Sequence, residues 1–382
     1  MARLIQSVPF NRPYFPEGFT TQISEVIKSG TTQGDGEISR RSSKLISDLS
    51  GGGKVLLTPS CTHALEMSTL LLNLKPGDEV LIPSFTFTSA AVALANYGVV
   101  PVFIDIDLQT KNIDSSKLSE GLTSRTKAIS LVNYSGVACD FPMIAEFARE
   151  HNLKIIEDNA HGLGGRAFGK PLGSFGDVST VSFHESKNLQ CGEGGALVIN
   201  DPSLVERAEI LREKGTNRSN FLRGSVDKYT WVDLGSSQLL SEISAAMLLP
   251  QLEIANEINS DRIASWTQIS DGIAQWANLM GFELQVIPQG MSHTAHILYV
   301  LAPNLAIRER FVEHLKSLGV PALFHYQSLH RSPAGIKFGR IGNESLSNTA
   351  RVSDCLLRLP IYYQMPRAVT TRIITAINSF RG

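Results

Sequence analysis

Between residues 54 and 200 short apolar runs alternate with stretches of helical period. That is the pattern of a largely parallel sheet joined by crossover helices. Strands are expected at 54–58, 79–82, 100–105, 128–132, 155–157, 178–183 and 196–199. The β-branched content of Val178-Ser179-Thr180-Val181 supports the sixth of these. Helices are expected at 62–74, with Leu65, Thr69 and Leu72 along one face, and at 89–97 and 142–151. The glycine-rich stretch 162–176 reads as a loop, and 237–262 as one long amphipathic helix. That helix would join a sheet domain with an N-terminal segment, residues 1–250, to a smaller domain at 251–382. No repeat or low-complexity segment interrupts the pattern.

A length of 382 residues exceeds the usual size of a single core, which agrees with two domains. Hydrophobic content of 42% and charged content of 19% fit a soluble enzyme. A net charge of −1 gives no reason to expect nucleic acid or an anionic membrane as partner. Met1 to Phe15 carries Arg3, Arg12 and two prolines but no continuous apolar run, so no secretory leader is expected. The most apolar stretch, 89–106, is broken by Asn96, Gly98 and Pro101 and does not read as a membrane span. Cys61, Cys139, Cys191 and Cys355 show neither a C-x-x-C pair nor metal-ligand spacing. Reduced thiols in a cytoplasm, and no bound metal, are the expectation.

Chemistry concentrates at the strand ends. Asp158 closes the run Leu153-Lys154-Ile155-Ile156-Glu157, and Lys187 follows the next strand within Ser182-Phe183-His184-Glu185-Ser186-Lys187-Asn188. This pairing suits pyridoxal 5′-phosphate (PLP). The lysine would form a Schiff base with the aldehyde, and the aspartate would keep the pyridine nitrogen protonated, making the ring an electron sink. Thr58-Pro59-Ser60-Cys61-Thr62 joins a strand to a helix, so Ser60, Thr62 and local N–H groups gather at a helix N-terminus able to hold the phosphate. Simple helix capping is the plainer account of that segment taken alone. Ser182 is a second hydroxyl within reach of a phosphate, Phe87 a candidate to stack on the ring, and His161 a candidate neighbour of the phenolic oxygen. Residues 212–228 hold Arg212, Lys214, Arg218, Arg223 and Lys228 against Glu213 and Asp227, a local positive surplus suited to a diphosphate. Gly162-x-Gly164 lacks the third glycine and the later acid of a dinucleotide fingerprint.

Together these motifs closely resemble the DegT/StrS family of PLP-dependent sugar-nucleotide aminotransferases. The resemblance runs from Pro9-Phe10-Asn11 to Leu359-Pro360-Ile361-Tyr362 and includes Gly192-Glu193-Gly194-Gly195. Leu56 to Thr62, Arg212 to Ser219, Val226 to Trp231 and Phe324-His325-Tyr326 resemble the members that aminate C4 of a dTDP-linked 4-keto-6-deoxy sugar. The resemblance implies the aspartate aminotransferase fold (PLP fold type I), with a mostly parallel mixed sheet and a smaller α+β C-terminal domain. It also implies L-glutamate as donor, 2-oxoglutarate as by-product and a homodimer with active sites at the subunit interface. By the same resemblance Lys187 is the Schiff-base lysine and Asp158 the pyridinium partner. Ser60, Cys61, Thr62 and Ser182 hold the phosphate, and Phe87 stacks on the ring. Lys214, Arg218, Arg223 and Tyr229 would meet the nucleotide, and His325, Tyr326 and His330 the sugar. Two departures stand out: His161 where many members have glutamine, giving a contact expected to be pH-sensitive, and Leu239 where many have asparagine.

Three other readings compete. A PLP-dependent sugar dehydratase of the same fold would carry histidine in place of Lys187. A non-catalytic sensor of PLP or a sugar nucleotide would not need Lys187, Asp158, Ser182 and the phosphate segment together. A 3-keto sugar, or an equatorial C4 amine, would use the same cofactor machinery with a different substrate pose.

Overall fold

The structure, a computed structural model, describes residues 7–342 and 345–382. Arg3 and the rest of the first six residues, part of the stretch expected to lack a leader, lie outside it. Eight strands form the main sheet: β1 (Lys54–Thr58), β2 (Glu79–Pro83), β3 (Val100–Ile104), β4 (Thr126–Val132), β5 (Lys154–Asp158), β8 (Val178–Ser182), β9 (Gly195–Ile199) and β12 (Arg340–Ile341). The order is β1-β9-β8-β5-β4-β2-β3-β12. Only β9 runs antiparallel to its neighbours, β1 and β8, so the sheet is mostly parallel and mixed. The strands at 54, 79, 100, 126, 154, 178 and 195 match the apolar runs of the sequence within a few residues. β12 was not legible there, because two residues carry no period.

The glycine-rich stretch is a loop that folds back on itself through a small hairpin, β6 (Arg166–Ala167) against β7 (Lys170–Pro171). Glu157, fully buried, organises its far end. Its carboxylate accepts from the Gly173 N–H at 2.6 Å, the Phe175 N–H at 2.9 Å and Asn133 Nδ2 at 2.8 Å. A buried carboxylate needs such donors.

The expected single helix over 237–262 is two helices, Glu242–Glu253 and Ala255–Met280. Ser241 caps the first through its hydroxyl, which accepts from the Ser244 N–H. Ser237 and Gln238 stay outside because their backbones pair with Glu213 and Arg212. At Ile254 the backbone leaves the helical region (φ −113°, ψ 22°), four residues after Pro250.

A second, antiparallel sheet holds β10 (Glu283–Leu284), β11 (Leu298–Leu301) and β13 (Leu356–Leu359). Trp276, Phe282, Phe311 and Phe380 pack beside it, Trp276 stacked on Phe311 at 5.2 Å. That core runs on without a break into Phe85, Val132 and Tyr134 of the main sheet. Chain segments cross over as well: β12 pairs with β3, and Val8 donates to the Gly319 carbonyl. Among the described residues no helix is long and apolar enough to cross a membrane.

Candidate active site

Parallel strands place their C-terminal ends on one edge of a sheet, where α/β proteins bind ligands. Here a cavity of about 670 Å3 opens at that edge, reached by the ends of β5 and β8 and closed on its other side by residues of the second sheet. Asp158 is the last residue of β5 and Ser182 the last of β8. Lys187 lies in the turn between β8 and β9. All eight residues expected to meet the cofactor, Ser60, Cys61, Thr62, Phe87, Asp158, His161, Ser182 and Lys187, line this one cavity.

Ser60 caps the helix Cys61–Leu71, its hydroxyl accepting from the His63 N–H and lying 2.8 Å from His63 Nδ1. Cys61 and Thr62 open that helix, where N–H groups have no intrahelical acceptor. Close approach is needed next to them. A Cβ on Gly195 would come within 2.4 Å of Ser60 C and Cys61 N, so the residue that starts β9 must be glycine. Thr62 Oγ1 and Ser89 Oγ are hydrogen-bonded at 2.7 Å. Hydroxyls and free N–H groups at a helix N-terminus fit a phosphate dianion.

Asp158 is buried, and one of its oxygens is committed. Oδ1 accepts from the Ala160 N–H at 3.0 Å and from Thr180 Oγ1 at 3.5 Å, whereas Oδ2 takes no hydrogen bond among the described residues. Burial raises the carboxyl's affinity for its proton, opposed by the Ala160 N–H and the charge of Lys187. A buried carboxylate with a free oxygen fits a cationic N–H such as a pyridinium. Lys187 is half-buried, and desolvation lowers its ammonium to about 8, partly opposed by Asp158. Cys61 donates to Thr180 Oγ1 at 3.5 Å, and burial, then the charge of Asp158, keeps its thiol protonated.

His161 stands on Tyr134 and His296, with ring centroids 6.0 and 4.4 Å away. The Ser135 N–H donates to His161 Nδ1 at 3.2 Å, so a neutral ring carries its proton on Nε2, which faces the Tyr326 hydroxyl at 3.3 Å. Burial, then the charge of Lys187, holds the imidazolium well below the ordinary range. The expected pH-sensitive contact is therefore corrected: His161 is a fixed neutral donor at physiological pH. Phe87 is half exposed and lines the cavity.

On the substrate side His325 and Tyr326 line the same cavity, stacked on each other at 3.6 Å, with His325 Nδ1 2.8 Å from the Tyr134 hydroxyl. His330 does not line it. It bonds Ser84 Oγ through Nδ1 at 2.7 Å and through its backbone N–H at 3.1 Å, pinning its loop to β2. Lys214, Arg218, Arg223 and Tyr229 are also outside the cavity of their own chain. The local surplus of positive charge is compensated from elsewhere. Arg223 pairs with Glu209 at 2.7 Å, Arg218 with Glu213 at 2.8 Å, Lys214 with Glu213 at 3.8 Å, and buried Arg212 with Asp35. A count confined to 212–228 missed Asp35 and Glu209. Leu239 packs against Gly34.

Among the cavity residues that escaped the sequence are Arg262, His296 and Arg358. Their signal was present. Arg358 interrupts Leu356-Leu357-Arg358-Leu359 and His296 heads the apolar run Ile297-Leu298-Tyr299, charges or rings placed where a core residue was due. Among the described residues no group of three or more His, Cys, Asp or Glu side chains is placed to hold a metal ion.

The sheet order, buried Asp158 and half-buried Lys187 on one cavity, and the helix N-terminus beside them define a PLP-dependent enzyme of the aspartate aminotransferase fold. The chain belongs to the DegT/DnrJ/EryC1/StrS aminotransferase family, which it matches over residues 15–378. It is 30% identical over 381 residues to an uncharacterized protein of Methanocaldococcus jannaschii, covering 98% of this chain and 96% of that one. It is 29% identical to a GDP-perosamine synthase of Caulobacter vibrioides, covering 88% of each. Among solved structures, the aminotransferase TlmJ of Streptoalloteichus hindustanus superposes with a TM-score of 0.87 at 28% identity, covering 98% of both chains. DesV of S. venezuelae, in complex with a ketimine intermediate, superposes with a TM-score of 0.87 at 27% identity, covering 99% of this chain and 100% of that one. The chain is therefore a sugar aminotransferase with PLP as its cofactor.

Proposed function

We propose that this enzyme moves the amino group of L-glutamate to C4 of dTDP-4-keto-6-deoxy-D-glucose. The products are dTDP-4-amino-4,6-dideoxy-D-galactose and 2-oxoglutarate, the sugar serving a surface polysaccharide such as enterobacterial common antigen or an O-antigen. The observation that carries the transaminase reading is Lys187 on the cavity wall, with its ammonium weakened, beside buried Asp158. Lysine at 187 argues against the dehydratase, and the complete set of cavity residues against a non-catalytic sensor. Likeness of Arg212 to Ser219 and Val226 to Trp231 to the C4-aminating members supports the sugar and the dTDP carrier.

When bound, PLP accepts the amino group at its aldehyde carbon and delocalises the electrons released at the substrate carbon. Asp158 would hold the ring N–H and keep it protonated. Ser60, Cys61, Thr62 and Ser182 would hold the phosphate, Phe87 would cover the ring, and His161 would donate to the phenolic oxygen. Lys187 Nζ would take the proton from the donor's substrate carbon and hold it for return, and would run the transfer in reverse for the keto sugar. Positioned acid–base transfer of this sort is worth about 10²–10⁴-fold.

We further propose a homodimer with active sites at the interface, where the basic loop 212–228 of one subunit meets the nucleotide held by the other. A cytoplasmic location suits the four free thiols. The relative named GDP-perosamine synthase supports one competing reading, a GDP-linked substrate.

The deciding experiment is NMR of the product after incubation with PLP, L-glutamate and dTDP-4-keto-6-deoxyglucose, with the GDP-linked and 3-keto sugars in parallel. An axial C4 amine on the dTDP sugar is the expected product. An equatorial amine, or turnover confined to the GDP or 3-keto substrate, would overturn the assignment. Lys187→Ala, the control, should bind PLP and transfer no amine.

A further inference from the structure

A neutral imidazole donates from one ring nitrogen and accepts at the other, so fixing its tautomer fixes what it can recognise. Two cavity histidines are fixed by a single turn, residues 134–136, which follows β4 and is anchored on two sides. The Tyr134 N–H donates to Asn112 Oδ1 at 2.8 Å, and Asn112 Nδ2 donates in turn to the Val137 and Ala138 carbonyls at 3.0 and 2.9 Å. Ser135 Oγ donates to the Ile297 carbonyl, beside β11, at 3.1 Å and accepts from Gln285 Nε2, beside β10, at 2.9 Å. From this turn the Ser135 N–H meets His161 Nδ1, and the Tyr134 hydroxyl meets His325 Nδ1. The two rings are nearly parallel, 23° apart in plane, with centroids separated by 6.1 Å.

The direction of the second bond follows from burial. Tyr134 is fully buried among the rings of Phe85, Tyr299 and Tyr326, with centroids 5.3, 5.9 and 6.0 Å away. Among the described residues its hydroxyl has His325 Nδ1 as its one partner, at 2.8 Å. A buried hydroxyl proton left without an acceptor is costly, so Tyr134 donates and Nδ1 accepts. Burial, then the charges of Arg358 and Lys187, keeps the His325 ring neutral. Its one ring proton therefore sits on Nε2, which has no hydrogen-bond partner among the described residues. His296 shows the opposite arrangement. Asn188 Nδ2 donates to the Thr294 carbonyl at 2.8 Å and to Asn259 Oδ1 at 2.9 Å, so Asn188 Oδ1 accepts from His296 Nδ1 at 3.0 Å. That leaves His296 Nε2 as an acceptor. The sense of His325 is thus set by the Tyr134 hydroxyl and not by the cavity as a whole.

We infer that Tyr134 is a positioning residue, whose hydroxyl holds His325 as an Nε2–H donor to a neutral oxygen of the keto sugar. The assignment rests on the proposed transfer of an amine to a keto sugar. Oxygens of the cofactor have donors of their own in Ser60, Thr62, Ser182 and His161. A carboxylate finds stronger, charged donors in the same cavity. An uncharged imidazole N–H suits the carbonyl or a hydroxyl oxygen of the sugar, and a fixed ring meets it without first being ordered.

The test follows the two half-reactions separately by stopped flow, with the keto sugar nucleotide that the wild type turns over. Loss of PLP absorbance against L-glutamate concentration reports the donor. Its return, on aminated holoenzyme freed of donor, reports the sugar. Tyr134→Phe keeps the ring in its aromatic cluster and removes only the hydroxyl. It should raise the half-saturating sugar concentration about 3–10-fold and leave the glutamate dependence within about twofold. His325→Phe should raise the sugar value further. Adding Tyr134→Phe to His325→Phe should then change nothing more, because no donor is left to position. Unaltered sugar dependence in Tyr134→Phe would overturn the assignment. So would equal changes in both half-reactions, which mark a structural role, or an effect of Tyr134→Phe that persists undiminished without His325. An aminated wild type inert to every keto sugar nucleotide would instead bring down the parent reading, and this assignment with it.

Discussion

Lys187 is half-buried in the cavity wall, and desolvation is the first reason its ammonium is held at about 8 rather than the ordinary 10.5. A lowered value means that the proton leaves at lower pH, so the free amine needed to meet an aldehyde becomes abundant near neutrality. Loading of PLP onto the apo protein should therefore accelerate as pH rises through about 8 and level off above it, followed by absorbance after a pH jump. A rate still climbing toward pH 10.5 would show that burial does not set the lysine's state. The histidines in the cavity take the opposite course to the usual pH switch. Burial removes the charged form of His161, His296 and His325, so their hydrogen bonds stay directional and constant. Lysine and aspartate were recognisable from sequence because their chemistry needs only strand ends. The neutrality of His161 was not, because it depends first on the burial of its ring, and then on Lys187, His296, His325 and Arg358 gathering around it.

At the scale of elements, the edge of the main sheet is held by a charge cluster that no local pattern announces. Glu79 opens β2 and is fully buried. Its carboxylate accepts from Arg340 at 3.0 and 2.7 Å, from Thr123 Oγ1 at 2.6 Å and from Arg125 at 2.5 and 3.2 Å. Arg340 starts β12, so this ion pair fastens a two-residue strand to a sheet with which it shares little backbone. The hydrogen bonds from Arg340, then those from Thr123 and Arg125, lower the Glu79 carboxyl from 4.5 to about 2 against the opposing effect of burial. The folded value is depressed, so this contribution is complete above pH 4.5 and is lost as pH falls through about 2. Glu79→Ala should destabilise by about 3–5 kcal/mol, because it leaves the Arg340 guanidinium with only the Gly121 and Ile341 carbonyls and no carboxylate. Urea unfolding at several pH values checks this. The variant should lose less stability than the wild type on going from pH 4.5 toward 2, and equal losses would rule out Glu79 as the titrating group.

At the scale of the molecule, the basic loop and the segment that follows it leave an apolar surface uncovered. Leu222, Tyr229, Trp231, Val232 and Leu234 are all more than half exposed, Trp231 at 76%. Clustered exposure of this kind marks an interaction face. The proposed homodimer accounts for it, and would carry the neighbouring Lys214, Arg218 and Arg223 toward the partner's cavity. Trp231→Asp should shift the protein from dimer to monomer in analytical ultracentrifugation while its circular dichroism stays unchanged. A wild-type monomer, or an unaffected dimer, would remove the interfacial role of the loop.

The sequence alone determined the alternation of strand and helix and the lysine–aspartate pair, because period and strand ends are properties of consecutive residues. It also determined the helix N-terminus at Ser60-Cys61-Thr62, since such a terminus is built from neighbours in the chain. Only the tertiary structure decided which charges are free. Arg212 meets Asp35 across 177 residues and Arg340 meets Glu79 across 261, and the first of these pairings neutralises a side chain that looked available. By the same rule Arg358 stands in the cavity without a carboxylate of its own. A charge is spent or available according to what lies within a few ångströms of it, and chain order does not encode that distance.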